Sequence, residues 1–181
     1  MTIRLKRKSS RRPLLFLCTF LLLTLVGGFS ACTEIDCPLD NVVEMGIGLY
    51  DAETRQELTL ADTLTVRPAG KDTVLLNRAQ GISVCYLPLR QGFERDTLLL
   101  RFSNAAGQAA TDTLFVGHTN SPHFESIDCP ASVFHHLTSV AHTQHPLSQM
   151  PLTIDSVAIA NPTVNYDNIQ HLKIYLRSTA R

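Results

Sequence analysis

The chain has 181 residues, with sixteen basic and sixteen acidic side chains, five cysteines and no tryptophan. Six of the basic residues (Arg4, Lys6, Arg7, Lys8, Arg11, Arg12) and no acidic ones lie in the first 31 positions, so the remaining 150 residues keep ten basic against sixteen acidic, a formal −6. That balance argues against nucleic acid and against direct attraction to anionic headgroups, which both need a basic field, and 150 residues suit one domain better than two.

The basic leader runs into an apolar stretch, Leu14 to Val26, that Gly27-Gly28 ends. Thirteen residues fall short of the about 20 that cross a bilayer. Phe29-Ser30-Ala31-Cys32 follows, with small residues in front of a cysteine, as at the processing site of a bacterial lipoprotein precursor. Residues 1–31 are therefore expected to be a cleaved signal peptide, with the Cys32 thiol carrying the lipid. Stable attachment then comes from more than one acyl chain. Ser10-Arg11-Arg12-Pro13 resembles a twin-arginine export signal, but the leucine-rich core fits the general secretory route better. Thr33 rather than aspartate follows Cys32, which favours the outer membrane. Glu34 and Asp36 faintly resemble an acidic surface-export signal, and the periplasmic side is slightly preferred. Residues 32–41 read as a lipidated tether and 42–181 as the folded domain.

Within that domain apolar residues alternate with polar ones, and helical periodicity is absent. Met45, Ile47 and Leu49 open the pattern; Leu64 and Val66, Ile82 to Leu89, Leu98 to Phe102 and Leu114 to Val116 continue it. Val133 to Val140, Ile154 to Ile159, and Leu172, Ile174 and Leu176 complete it. Turn signals punctuate the runs at Asp51–Thr54, Pro68–Lys71, Asn77–Gly81, Gln91-Gly92, Asn104–Gly107 and Asn161-Pro162. The expected fold is all-β, a single antiparallel, immunoglobulin-like β-sandwich of about seven to nine strands. His142 to Pro151 is expected to be a long loop.

One triplet recurs: Asp62-Thr63-Leu64, Asp72-Thr73-Val74, Asp96-Thr97-Leu98, Asp112-Thr113-Leu114 and the variant Asp155-Ser156-Val157. Aspartate accepting from the backbone as a turn closes, followed by a β-branched residue that starts a strand, accounts for it. The triplets also resemble the acceptor motif for O-glycosylation of exported proteins in Bacteroides-type bacteria. On that resemblance Thr63, Thr73, Thr97, Thr113 and Ser156 are candidate acceptors.

Once Cys18 leaves with the signal and Cys32 takes lipid, Cys37, Cys85 and Cys129 remain. Cys37 and Cys129 share the setting Ile-Asp-Cys-Pro, outside the strands, whereas Cys85 lies within one, as a small buried hydrophobe does. A Cys37–Cys129 disulfide with Cys85 reduced is the expectation.

The chain resembles a family of small lipoproteins of Bacteroidales-type bacteria classed as a domain of unknown function. The likeness runs through Gly48-Leu49-Tyr50-Asp51-Ala52, Leu87-Pro88-Leu89, Asp112-Thr113-Leu114, Cys129, Phe134 and Leu137, and His171-Leu172-Lys173-Ile174-Tyr175. It implies a secreted, lipid-anchored β-sandwich with cysteines equivalent to Cys37 and Cys129, and no known activity. Cys85 in a middle strand and Pro130 after Cys129 depart from the family pattern.

Six of the seven histidines fall between His118 and His145. His135 and His136 point to opposite faces of a strand, so a metal centre is not expected, and the segment reads as polar and partly exposed. Nucleophile elbows, phosphate loops and zinc-protease helices are absent from the sequence. No catalytic residue and no cofactor are assigned. The expected role is that of a non-enzymatic envelope module, lipid-anchored and docking a protein such as an outer-membrane β-barrel. A glycan-binding accessory role using Tyr50, Tyr86, Tyr166 or Tyr175 is the alternative, and an enzyme the third.

Overall fold

The computed structural model describes residue 37 and residues 42–179. The expected signal peptide at residues 1–31, the expected lipid site Cys32 and all but Cys37 of the expected tether at residues 32–41 lie outside that range. Alternation along the sequence becomes ten strands: β1 (Glu44–Asp51), β2 (Thr63–Pro68), β3 (Leu76–Ala79), β4 (Val84–Pro88), β5 (Arg95–Ser103), β6 (Ala109–His123), β7 (Ser132–His142), β8 (Leu152–Ile159), β9 (Thr163–Val164) and β10 (Gln170–Ser178). No helix occurs among the described residues.

The strands form a four-stranded sheet, β4-β1-β10-β8, and a six-stranded sheet, β3-β2-β5-β6-β7-β9. Together they make the expected β-sandwich. Met45, Ile47 and Leu49 of β1 and Leu172, Ile174 and Leu176 of β10 share one core with Leu98, Leu100 and Phe102 of β5 and Leu114 and Val116 of β6. Turn glycines do their expected work: Gly92 and Gly107 sit at φ 80° and 82°, where a side chain would clash with the main chain.

Three expectations need correction. Ten strands replace seven to nine, because Asn77–Ala79, read as part of a turn, joins the edge strand β3, and the two-residue β9 is too short to alternate. The sandwich is also not purely antiparallel. β1 and β10 pair in parallel, which the separation of first from last strand allows, since a parallel pair needs a long crossover. The third concerns the histidine segment: His118, His135 and His145 are buried, and the reason lies in strand register.

Register shifts in four strand pairings, β2–β3 and three others. In β7, Thr138 is extra, so Gly117 faces Ser139 but His118 faces Leu137 and Asn120 faces His135. A single extra residue exchanges the two faces of a strand, and it turns His135 inward beside Leu137. In β10, His171 is extra opposite Gly46 and Ile47, and its Nδ1 accepts the Gly46 N–H at 2.9 Å. The side chain thus replaces a missing ladder bond. In β8 the extra residue is Asp155, whose carbonyl accepts from His142 and Gln144.

Candidate functional site

Polar side chains collect at the end of the core where β5, β6 and β7 meet. Asp96, 2% exposed, accepts the Arg90 backbone N–H at 2.9 Å and pairs with the Arg90 guanidinium. This closes the turn between β4 and β5. His118 Nε2 lies 3.1 Å from the same carboxylate, and its Nδ1 lies 3.0 Å from Asn120 Oδ1. Asn120 Oδ1 also receives His135 Nδ1 at 2.7 Å, while its amide donates to the Phe93 carbonyl at 2.7 Å. Both nitrogens of His118 therefore face carbonyl or carboxylate oxygens, which fixes the ring between Asp96 and Asn120.

Burial on its own raises a carboxyl pKa, but for Asp96 the hydrogen bonds from Arg90 and His118 outweigh it and hold the group below its usual range. The His135 imidazole is pushed down to about 4, first by burial and then by the neighbouring His118. His171, also buried, is lowered by desolvation, and its Nε2 has no hydrogen-bond partner.

A second buried cluster centres on Asp112, which has no exposed surface. Its Oδ1 accepts from the His145 backbone N–H and Nδ1, both at 2.8 Å, and its Oδ2 from Thr153 Oγ1 and the Ile154 N–H, both at 3.0 Å. One carboxylate thereby ties β6 to β8 and to the loop between β7 and β8. Neither cluster offers a free nucleophile beside a base. Among the described residues no group of three or more His, Cys, Asp or Glu side chains converges as metal ligands.

The five triplets separate in space. Asp96 and Asp112 are buried, and Thr63 bonds the Ser103 carbonyl and hydroxyl. Thr97, Thr113 and Ser156 are half-buried in strands, while Asp72, Thr73 and Val74 are all exposed in the β2–β3 connection. Asp112 is thus a mid-strand staple rather than a turn closer.

Cys37 and Cys129 lie at disulfide distance, Sγ to Sγ 2.12 Å, and enclose 92 residues of sequence separation. Cys85 is buried as a free thiol, its pKa pushed up to about 12 by desolvation. Cys129 belongs to the β6–β7 connection, where Phe124 is 64% and Ile127 98% exposed. Behind them His123 stacks on Phe134 at 4.2 Å, and Tyr166 meets Phe134 edge-on at 5.1 Å.

Of the tyrosines considered for sugar stacking, Tyr50 and Tyr175 are 5.7 Å apart but tilted by 47°. Arg55 lies over the Tyr175 ring and Lys173 over that of Tyr50, so the pair presents no open flat platform. The His118 and Asp112 clusters escaped the sequence reading because they join residues from three elements each; the recurrent Asp-Thr-Leu triplet was the visible trace of both. The model of a family described as a family of unknown function, DUF6452, matches residues 50–176. No curated protein and no solved structure matched the chain.

Proposed function

We propose that this chain, which belongs to the DUF6452 family of unknown function, is an exported lipoprotein anchored in the outer membrane through Cys32, whose sandwich docks another envelope protein without catalysing a reaction. The observation that carries this reading is the Cys37–Cys129 pair. A structural disulfide belongs to an oxidising, extracytoplasmic compartment. This one joins a position five residues past Cys32 to the β6–β7 connection, so the anchor holds the middle of the sandwich as well as its N-terminal end. Five extended residues span at most about 18 Å. Phe124 and Ile127 are therefore kept close to the membrane surface, where a membrane-embedded partner presents its rim.

The internal saturation of Asp96, His118, Asn120 and Asp112 supports a role without catalysis. The test is crosslinking in native membranes, with recovery of the tagged protein and mass spectrometry of what accompanies it. One envelope protein in near-stoichiometric amount, lost when Phe124 and Ile127 are both replaced by Ser, is the expected result. Recovery of the lipoprotein alone would contradict the docking role.

A further inference from the structure

The outer face of the six-stranded sheet carries an open groove of about 390 Å³ lined by Arg67, Arg78, Arg101, Thr65, Ser103 and Thr111, with no carboxylate among its lining residues. Three of the ten basic residues of positions 32–181 are thus gathered on one face of a protein that is otherwise acidic. Register explains how. Arg101 of β5 lies opposite Thr65 of β2 and Thr111 of β6, and Arg67 lies opposite Leu99, one step diagonally from Arg101. Diagonal neighbours on a sheet face stand about 7–8 Å apart, within reach of long side chains, and like charges so placed repel. Among the described residues none of the three arginines has an acidic partner. Arg78 is held in addition at φ 47°, a left-handed backbone conformation unusual for arginine, with its N–H donated to Thr65 Oγ1 at 3.1 Å.

Guanidinium groups without a carboxylate partner, flanked by hydroxyl groups and with Leu99 as the only large apolar lining residue, suit a polar anionic ligand. We propose that this groove binds an anionic oligosaccharide, the guanidinium forks taking its carboxylate, sulfate or phosphate oxygens and the hydroxyls of Thr65, Ser103 and Thr111 its sugar hydroxyls. A planar guanidinium matches an oxyanion with two parallel hydrogen bonds. A peptide ligand fits less well: the main-chain groups of β2, β5 and β6 are paired within the sheet, so a peptide could add only along the edge strand β3, which carries Asn77 and Arg78, and an apolar pocket for its side chains is lacking. The site stands independently of the membrane anchor and of any protein partner.

The test is isothermal titration of the full mature chain in detergent at low ionic strength. A heparin-derived hexasaccharide and hexagalacturonate are the anionic probes, with maltohexaose and hexaglutamate as comparisons. Binding of either anionic sugar, weakened about tenfold or more in Arg67→Gln/Arg101→Gln and within about twofold of normal in Arg177→Gln, supports the proposal. Tighter binding of the heparin fragment, which carries sulfates as well as carboxylates, would show that sulfate is recognised, and equal or tighter binding of hexagalacturonate that carboxylates suffice. Arg67→Lys/Arg101→Lys keeps the charge without the fork, and several-fold weaker binding is expected from it even if the glutamine variant fails to fold. Equal binding of maltohexaose or hexaglutamate, no binding of either anionic sugar, or an equal loss in Arg177→Gln would overturn it.

Discussion

Asp112 keeps a carboxylate with no exposed surface and four donors around it. Asp112→Asn replaces one acceptor oxygen by an amide that must face N–H or O–H donors, so the variant is expected to lose about 3 kcal/mol in urea unfolding. His135 gives the pH dependence. Its folded-state pKa lies at about 4, below the ordinary value of 6.5, so the unfolded chain takes up the proton first. Stability is then full above about pH 6.5, falls as pH drops toward 4, and is level for this group below that, a loss on the order of 3 kcal/mol. His135→Gln should flatten that slope in denaturation curves taken across the interval. His171, lowered in the same direction, leaves part of it in place. Asp96, held low by Arg90 and His118, acts only below the ordinary carboxylate range. At this scale the sequence was legible where a residue's setting is local. The shared Ile-Asp-Cys-Pro surroundings of Cys37 and Cys129 pointed to the pair now found at disulfide distance, whereas the inward turn of His135 depends on a bulge at Thr138 that no local pattern marks.

At the scale of elements, β1 is the strand that tolerates least. It is covered on both faces, and the glycines on its outer side leave room for the chain that crosses it. A Cβ on Gly46 would stand 2.2 Å from the Ile169 carbonyl oxygen, which belongs to the main chain, whereas one on Gly117 would meet the rotatable Ser139 hydroxyl at 2.4 Å. Gly46→Ala is therefore expected to cost about 2–3 kcal/mol or prevent folding, and Gly117→Ala under about 1 kcal/mol, as read by thermal melts of the two variants. The link between Cys37 and the β6–β7 connection supplies a different kind of stability. Closing a loop of 92 residues removes unfolded-state entropy worth about 4 to 5 kcal/mol. Cys37→Ser/Cys129→Ser should lower the denaturation midpoint accordingly without changing the far-ultraviolet spectrum. Strands with several alternating residues, such as β5 and β10, were legible in the sequence. The edge strand β3 was not, because Asn77 and Arg78 are both exposed and carry no alternation, and the parallel β1–β10 pairing arises only when the two ends of the chain meet.

For the whole molecule, the family match at residues 50–176 falls within the sandwich, and the account turns on how that sandwich is held. The sequence Phe29-Ser30-Ala31-Cys32, a disulfide five residues farther on and exposed Phe124 and Ile127 beside it make one consistent arrangement under the proposal that Cys32 carries lipid. Fold class and the positions of the long strands followed from alternation and turns; the exposure of Phe124 and Ile127 did not, since nothing in their spacing indicates that both stay uncovered. The most direct test is the intact mass and N-terminal peptide of the protein purified from the membranes of its native cell. The account predicts a chain that begins at Cys32, with a diacylglyceryl group on the thiol and Cys37 bridged to Cys129. A mature terminus at any other residue, or an unacylated Cys32, would contradict it.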